Sequence, residues 1–138
     1  ALARALAVDV PEPFADWTAW MTATGRSQQA VAFVSVWRRP YMSLAADTYG
    51  SSLLAHVGIG NAFADAGERY PEVDLAVVAQ RDPDIALLPS EPYEFTAAHL
   101  PEVQAALPQS RVALVDGRDL FWWGIRTPAA VERLSTLA

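Results

Sequence analysis

The sequence predicts an α/β fold, a mostly parallel open sheet with helices on both faces. Short runs rich in β-branched and other apolar residues occur at 30–36, 84–88 and 111–115, bounded by Pro or Asp-Gly. Segments with helical spacing fall between and after them, at 48–57, 74–81, 95–107 and 127–137. A strand buried on both faces needs no polar alternation. Parallel neighbours must be joined by crossovers, and the helical segments supply them.

The elements follow in order. Residues 1–29 bring Leu2, Leu6, Phe14, Trp17, Trp20 and Met21 near helical spacing, broken at Val10-Pro11-Glu12-Pro13; they read as a helical approach segment. Gly25-Arg26-Ser27-Gln28-Gln29 is a polar stop with Gly25 suited to a helix C′ position, and serves as a short linker. Residues 30–138 then form one α/β unit. Its first helix, over 48–57, is expected to end at Gly58. The helix over 74–81 starts at Asp74, behind Pro71. Thr127-Pro128 reads as an N-cap followed by Pro at N1. No repeat at a solenoid period is present.

Composition narrows the function classes. With 138 residues, 52% of them hydrophobic, the chain suffices for one domain with a core. Ten cationic side chains, all Arg, against 16 Asp and Glu give a net charge of −6, which disfavours a nucleic-acid partner. The absence of Cys excludes a disulfide scaffold, a thiol nucleophile and a Cys-ligated metal, and leaves the compartment open. No apolar run approaches the roughly 18 to 20 residues of a membrane-spanning helix. The opening Ala1-Leu2-Ala3-Arg4 has neither an initiator Met nor a signal-peptide pattern, so the sequence is expected to be a segment of a longer protein.

Enzyme motifs mostly fail. Gly58-Ile59-Gly60 lacks the third glycine of a dinucleotide loop and follows a helix rather than a strand. Gly50-Ser51-Ser52 is not a nucleophile elbow. His56 and His99 are the only imidazoles and neither has a second His at helical spacing, so both read as surface or satisfied helix residues. Asp82 and Asp84 flank Pro83 and read as turn and cap residues before a strand. No cluster of metal-ligating side chains is visible. The competing enzyme reading is a small doubly wound domain acting on a phosphorylated or nucleotide substrate; it would need a phosphate loop after a strand.

Aromatic residues follow each strand. Trp37-Arg38-Arg39-Pro40-Tyr41-Met42 comes after the first, Pro89-Ser90-Glu91-Pro92-Tyr93-Glu94-Phe95 after the second, and Asp116-Gly117-Arg118-Asp119-Leu120-Phe121-Trp122-Trp123-Gly124 after the third. The carboxyl ends of parallel strands are where open α/β sheets bind ligands. Trp37, Tyr41, Tyr93, Phe121, Trp122 and Trp123 would suit a large flat ligand, with Arg38, Arg39 and Arg126 available for anionic groups. Any one of these rings could instead cover the sheet end. Residues 65–102 carry nine acids against Arg69 and Arg81; this is either a solvated face or a surface for a basic partner.

Several blocks together carry a family resemblance: residues 31–37 with Arg38-Arg39-Pro40-Tyr41-Met42, then Asp47-Thr48-Tyr49, Arg69-Tyr70-Pro71-Glu72-Val73, Asp82-Pro83-Asp84, Ser90-Glu91-Pro92-Tyr93 and Val115-Asp116-Gly117. Residues 30–138 resemble the carboxyl-terminal lobe of the helical-backbone metal receptors. These are substrate-binding proteins of ABC importers for cobalamin, ferric siderophores and haem, with a class III periplasmic-binding-protein fold. The resemblance implies two α/β lobes joined by a long helix, of which residues 1–29 would be the end, and a ligand held between the lobes.

It also implies a monomeric, non-enzymatic receptor, periplasmic or anchored at the cell surface, with an ABC permease as partner. Any metal would arrive inside the ligand, with no resident cofactor. By position, Met42 and Tyr70 fall where a cobalamin receptor places ligand-facing aromatics, and Trp122 lies in the matching cleft loop. The expected ligand-binding set is Trp37, Arg38, Tyr41, Met42, Tyr70, Tyr93, Trp122, Trp123 and Arg126. Permease docking in the family uses one Glu per lobe. Ala76 stands at that position here, with Glu72 or Asp74 as substitutes from the same turn.

Overall fold

A computed structural model describes Thr22 and residues 25–138. The expected approach helix in residues 1–29 falls outside the described residues at 1–21, 23 and 24. Residues 25–29 run as exposed irregular chain beside the first helix, where the Arg26 and Gln29 amides donate to the carbonyls of His56 and Gly58.

Four parallel strands form the sheet: β1 (Ala30–Val34), β3 (Ile59–Asn61), β5 (Ile85–Pro89) and β6 (Arg111–Val115), in the order β3-β1-β5-β6. Antiparallel pairing is confined to a small second sheet of β2 (Tyr41–Met42) and β4 (Glu72–Val73). The helices are α1 (Tyr49–His56), α2 (Leu75–Gln80), α3 (Leu100–Ala106), α4 (Gly117–Phe121) and α5 (Thr127–Leu134), with a 3-10 turn at Ala97–His99 leading into α3.

The central strands are apolar throughout because each face of the sheet has its own core. Successive side chains on a strand point to opposite faces. Ala32, Val34, Ile85 and Leu87 therefore enter one cluster with Leu53, Leu54, Leu120, Val131 and Leu134, from α1, α4 and α5. Phe33, Ala86 and Leu88 enter the other with Val78 and Val103, from α2 and α3. Ile85–Pro89 is buried along its whole length, so the reading of runs buried on both faces holds best for β5. The α/β class, the parallel sheet and the helices on both faces are all present.

Several boundaries differ from expectation. β3 was not anticipated: Gly58 does end α1, at φ +85°, but Ile59, Gly60 and Asn61 then pair with β1 as an edge strand only three residues long. The segment 95–107 is not one helix. Phe95 turns into the core, and the Thr96 amide donates to His99 Nδ1 at 2.9 Å to open the 3-10 turn. Thr127 is not an N-cap, because Arg126 occupies that place without a side-chain cap bond and Thr127 is the first helical residue. Its hydroxyl pairs with that of Tyr49 at 2.9 Å, tying α5 to α1. Asp74 does cap α2, its Oδ1 accepting from the Ala76 amide at 2.8 Å.

Candidate functional site

The loops that follow β1, β5 and β6 meet at one end of the sheet. Between them lies a cleft of about 670 Å³, lined by Val36, Trp37, Met42, Tyr70, Glu91, Pro92, Phe121 and Trp122. Each wall has a local cause. After β1 the chain makes a tight hairpin, in which the Val36 amide donates to the Met42 carbonyl at 2.8 Å and the Met42 amide donates to the Trp37 carbonyl at 3.2 Å. Residues 41–45 then run against 69–73, Met42 pairing with Glu72 and the Ser43 amide donating to the Pro71 carbonyl, which brings Tyr70 beside Met42.

Behind β5, the Ser90 amide donates to the Val115 carbonyl and the Ser90 hydroxyl accepts from the Gly117 amide, so Glu91 and Pro92 are anchored against the start of α4. Asp116 caps that helix through the Arg118 amide at 3.0 Å. At the other end of α4, Phe121 and Trp122 reach the cleft.

The structure thus brings together Trp37, Met42, Tyr70 and Trp122 from the expected set. The others lie elsewhere. Tyr41 and Met42 are neighbours on a strand and face opposite ways: Met42 packs toward the cleft, while the Tyr41 hydroxyl donates to Glu102 Oε1 at 3.0 Å. Arg38 is paired with the Glu102 carboxylate, not free for an anion in the cleft. Tyr93 is half-buried behind Trp37, the rings 5.5 Å apart and edge-on, and meets Phe95 at a tilt and His99 edge-on. Trp123 is 80% exposed beyond the cleft rim. Arg126 lies 3.7 Å from Asp116 and 3.6 Å from Asp119. Val36, Glu91 and Pro92 were not expected to line the site; the two latter stand in the Ser90-Glu91-Pro92-Tyr93 block but carry no aromatic ring.

Other residues weighed from the sequence settle into structural tasks. Asp84 Oδ2 accepts from the Val31 amide at 2.8 Å at the opposite end of the sheet from the cleft, holding the start of β1. His99 is a cap and a ring partner. Burial lowers the pKa of His56. Among the described residues there is no group of three or more His, Asp or Glu that could hold a metal, and no helix long and apolar enough to cross a membrane.

A second groove of about 560 Å³ adjoins the first sheet hairpin, lined by Pro40, Tyr41, Glu72, Val73, Asp74 and Leu75. It places Glu72 and Asp74 side by side on the acidic surface. Close to it, the Arg38 guanidinium holds Glu102 below the usual carboxylate range and is itself held above its ordinary value. A depressed carboxylate stabilises the fold above its unfolded pKa of about 4.3 and loses that contribution as pH falls through the lower folded value. Urea unfolding between pH 6 and 3 should therefore show a steeper loss of stability for the wild type than for Glu102→Gln. Parallel curves would remove this ion pair from the acid response.

No protein-family model matches the chain, and no curated protein is detectably similar in sequence. Solved structures are similar in fold. The vitamin B12-binding protein BtuF of Vibrio cholerae superposes with a TM-score of 0.65 at 22% identity, over 84% of this chain and 46% of that one. The haem-binding protein HutB of the same organism gives 0.68 at 17%, over 85% and 50%, and the haem-binding protein RhuT of Roseiflexus gives 0.64 at 19%, over 98% and 58%. All three are named as periplasmic. The chain spans about half the length of the structures it matches, and its architecture is that of one α/β lobe of a class III periplasmic binding protein.

Proposed function

We propose that this lobe is one wall of a ligand cleft in the substrate-binding component of an ABC importer. The ligand would be a metal chelate or tetrapyrrole of the cobalamin, ferric-siderophore or haem kind, captured outside the membrane. The observation that carries this reading is the aromatic cleft at the carboxyl ends of the parallel strands. Trp37, Tyr70, Phe121 and Trp122 offer ring faces and edges, Met42 adds a deformable thioether, and no nucleophile or general-base pair stands among them. Such a wall packs against a large flat molecule and makes or breaks no bond.

A cleft open on one side leaves half of a bulky ligand uncovered, and a second lobe opposite would close it. The neighbours' names support a vitamin B12 or haem ligand and a periplasmic site of action. Permease docking would use the acidic groove with Glu72 and Asp74, since Ala76 supplies no charge. The metal would be carried inside the ligand.

The test is tryptophan-fluorescence titration of the intact receptor with cyanocobalamin, cobinamide, haemin and a panel of ferric siderophores. One probe should quench saturably. Trp37→Ala and Trp122→Ala should each weaken that probe's binding by about tenfold, as expected for removal of a central aromatic contact. No saturable quenching by any probe, or unchanged affinity in both variants, would overturn the reading.

A further inference from the structure

The cleft carries one charged side chain, and it is negative. None of the arginines among the described residues lines it, and the chain has no Lys. Arg38, Arg118 and Arg126, from the segments around it, are already engaged. Arg38 is tied to Glu102 on the far side of the hairpin. Arg118 donates to Asp116 through Nε and Nη2, at 2.9 and 2.7 Å. Arg126 faces Asp116 and Asp119, and Asp119 is further held by two 2.6 Å bonds from Arg133.

Glu91, by contrast, lines the cleft and has no ion-pair partner among the described residues, and one oxygen of its carboxylate, Oε1, is buried without a hydrogen-bond partner among them. Its backbone and Cγ are pressed against Gly117, where an added Cβ would come within 2.7 Å of three Glu91 atoms, so the side chain has little room to withdraw. A carboxylate without a cationic partner in an aromatic cleft is partly desolvated, and a ligand that supplies an N–H or O–H to it gains a charge-assisted bond. A ligand carboxylate at the same place would meet like charge in a partly dehydrated, aromatic setting.

Resting on the receptor reading above, we propose that Glu91 makes this lobe selective for ligands with a donor-bearing periphery, such as primary amides, over ligands whose periphery is carboxylate. The selectivity comes from the unpaired carboxylate in the cleft wall; the aromatic rings bind either macrocycle alike.

Matched probes test this on the intact receptor: dicyanocobinamide against dicyanocobyrinic acid, which share a corrin and differ in amide or carboxylate side groups, and haemin against the haemin in which both propionates are amidated. In whichever pair binds, the amide form should bind at least about tenfold tighter, the scale of one charge-assisted bond against one repulsion. Glu91→Gln should bring the ratio to within about threefold, whereas Glu91→Asp, which keeps the charge, should hold it closer to wild type. Carboxylate forms preferred by the wild type, or a ratio untouched by Glu91→Gln, overturn the inference while the receptor reading stands. No binding by any of the four overturns the inference, and the siderophore panel then decides the receptor reading on its own.

Discussion

Replacing Gly117 by Ala is expected to destabilise the protein by about 2–3 kcal/mol, the upper part of the range for forcing a methyl into a filled site. The added carbon would lie 2.6 Å from Glu91 Cγ and from the Glu91 carbonyl oxygen, and 2.7 Å from its amide nitrogen. Two of those atoms are backbone, so no rotamer change relieves the contact. Glu91 or the start of α4 has to move, and both are cleft walls. Gly67→Ala is the control: nothing lies within 4 Å of its added carbon, and stability should hardly change. Chemical denaturation of the two variants checks the pair, and equal midpoints would mean that α4 gives way at no cost.

The second large effect is an asymmetry at Asp119. This carboxylate is buried, its side chain 4% exposed, while its bidentate partner Arg133 is 52% exposed. Arg133→Met leaves a buried charge with only the longer Arg126 contact at 3.6 Å and should cost about 2–3 kcal/mol, below the 3–5 typical of a fully buried pair because one end is wet. Asp119→Ala leaves a guanidinium that water can solvate, and should cost about 1–2 kcal/mol. Removing the exposed partner is thus expected to hurt more than removing the buried one. Urea midpoints of the two variants in the reverse order would show that the burial of Asp119 carries no penalty.

Both predictions concern the segment after β6, where reading from the sequence was least complete. The aromatic string Phe121-Trp122-Trp123 was visible, and so was its place beyond a strand. Which ring turns inward depends on α4, a helix of five residues capped by Asp116, too short for any periodicity to reveal. Phe121 and Trp122 line the cleft and Trp123 does not. The same limit hid β3, whose three residues contain a glycine and whose strand character comes from pairing with β1. Ion pairs were also out of reach. Arg38 and Glu102 are separated by 64 residues, and only the packing of α3 beside the β1 hairpin joins them.

Local chemistry determined the rest. The apolar runs specified a sheet covered on both faces, although the third forms the edge strand β6 with Leu114 exposed, and the Asp74 and Gly58 signals specified where helices begin and end, because those effects act over a few residues. The aromatic loops at the strand ends marked the edge where the cleft lies for the same reason. Tertiary structure alone decided which of those side chains share a cleft, that Arg38, Arg118 and Arg126 are spent on carboxylates beside it, and that Glu91 remains as its charge. Charge compensation and desolvation depend on through-space distances between distant segments, and no spacing along the chain encodes them.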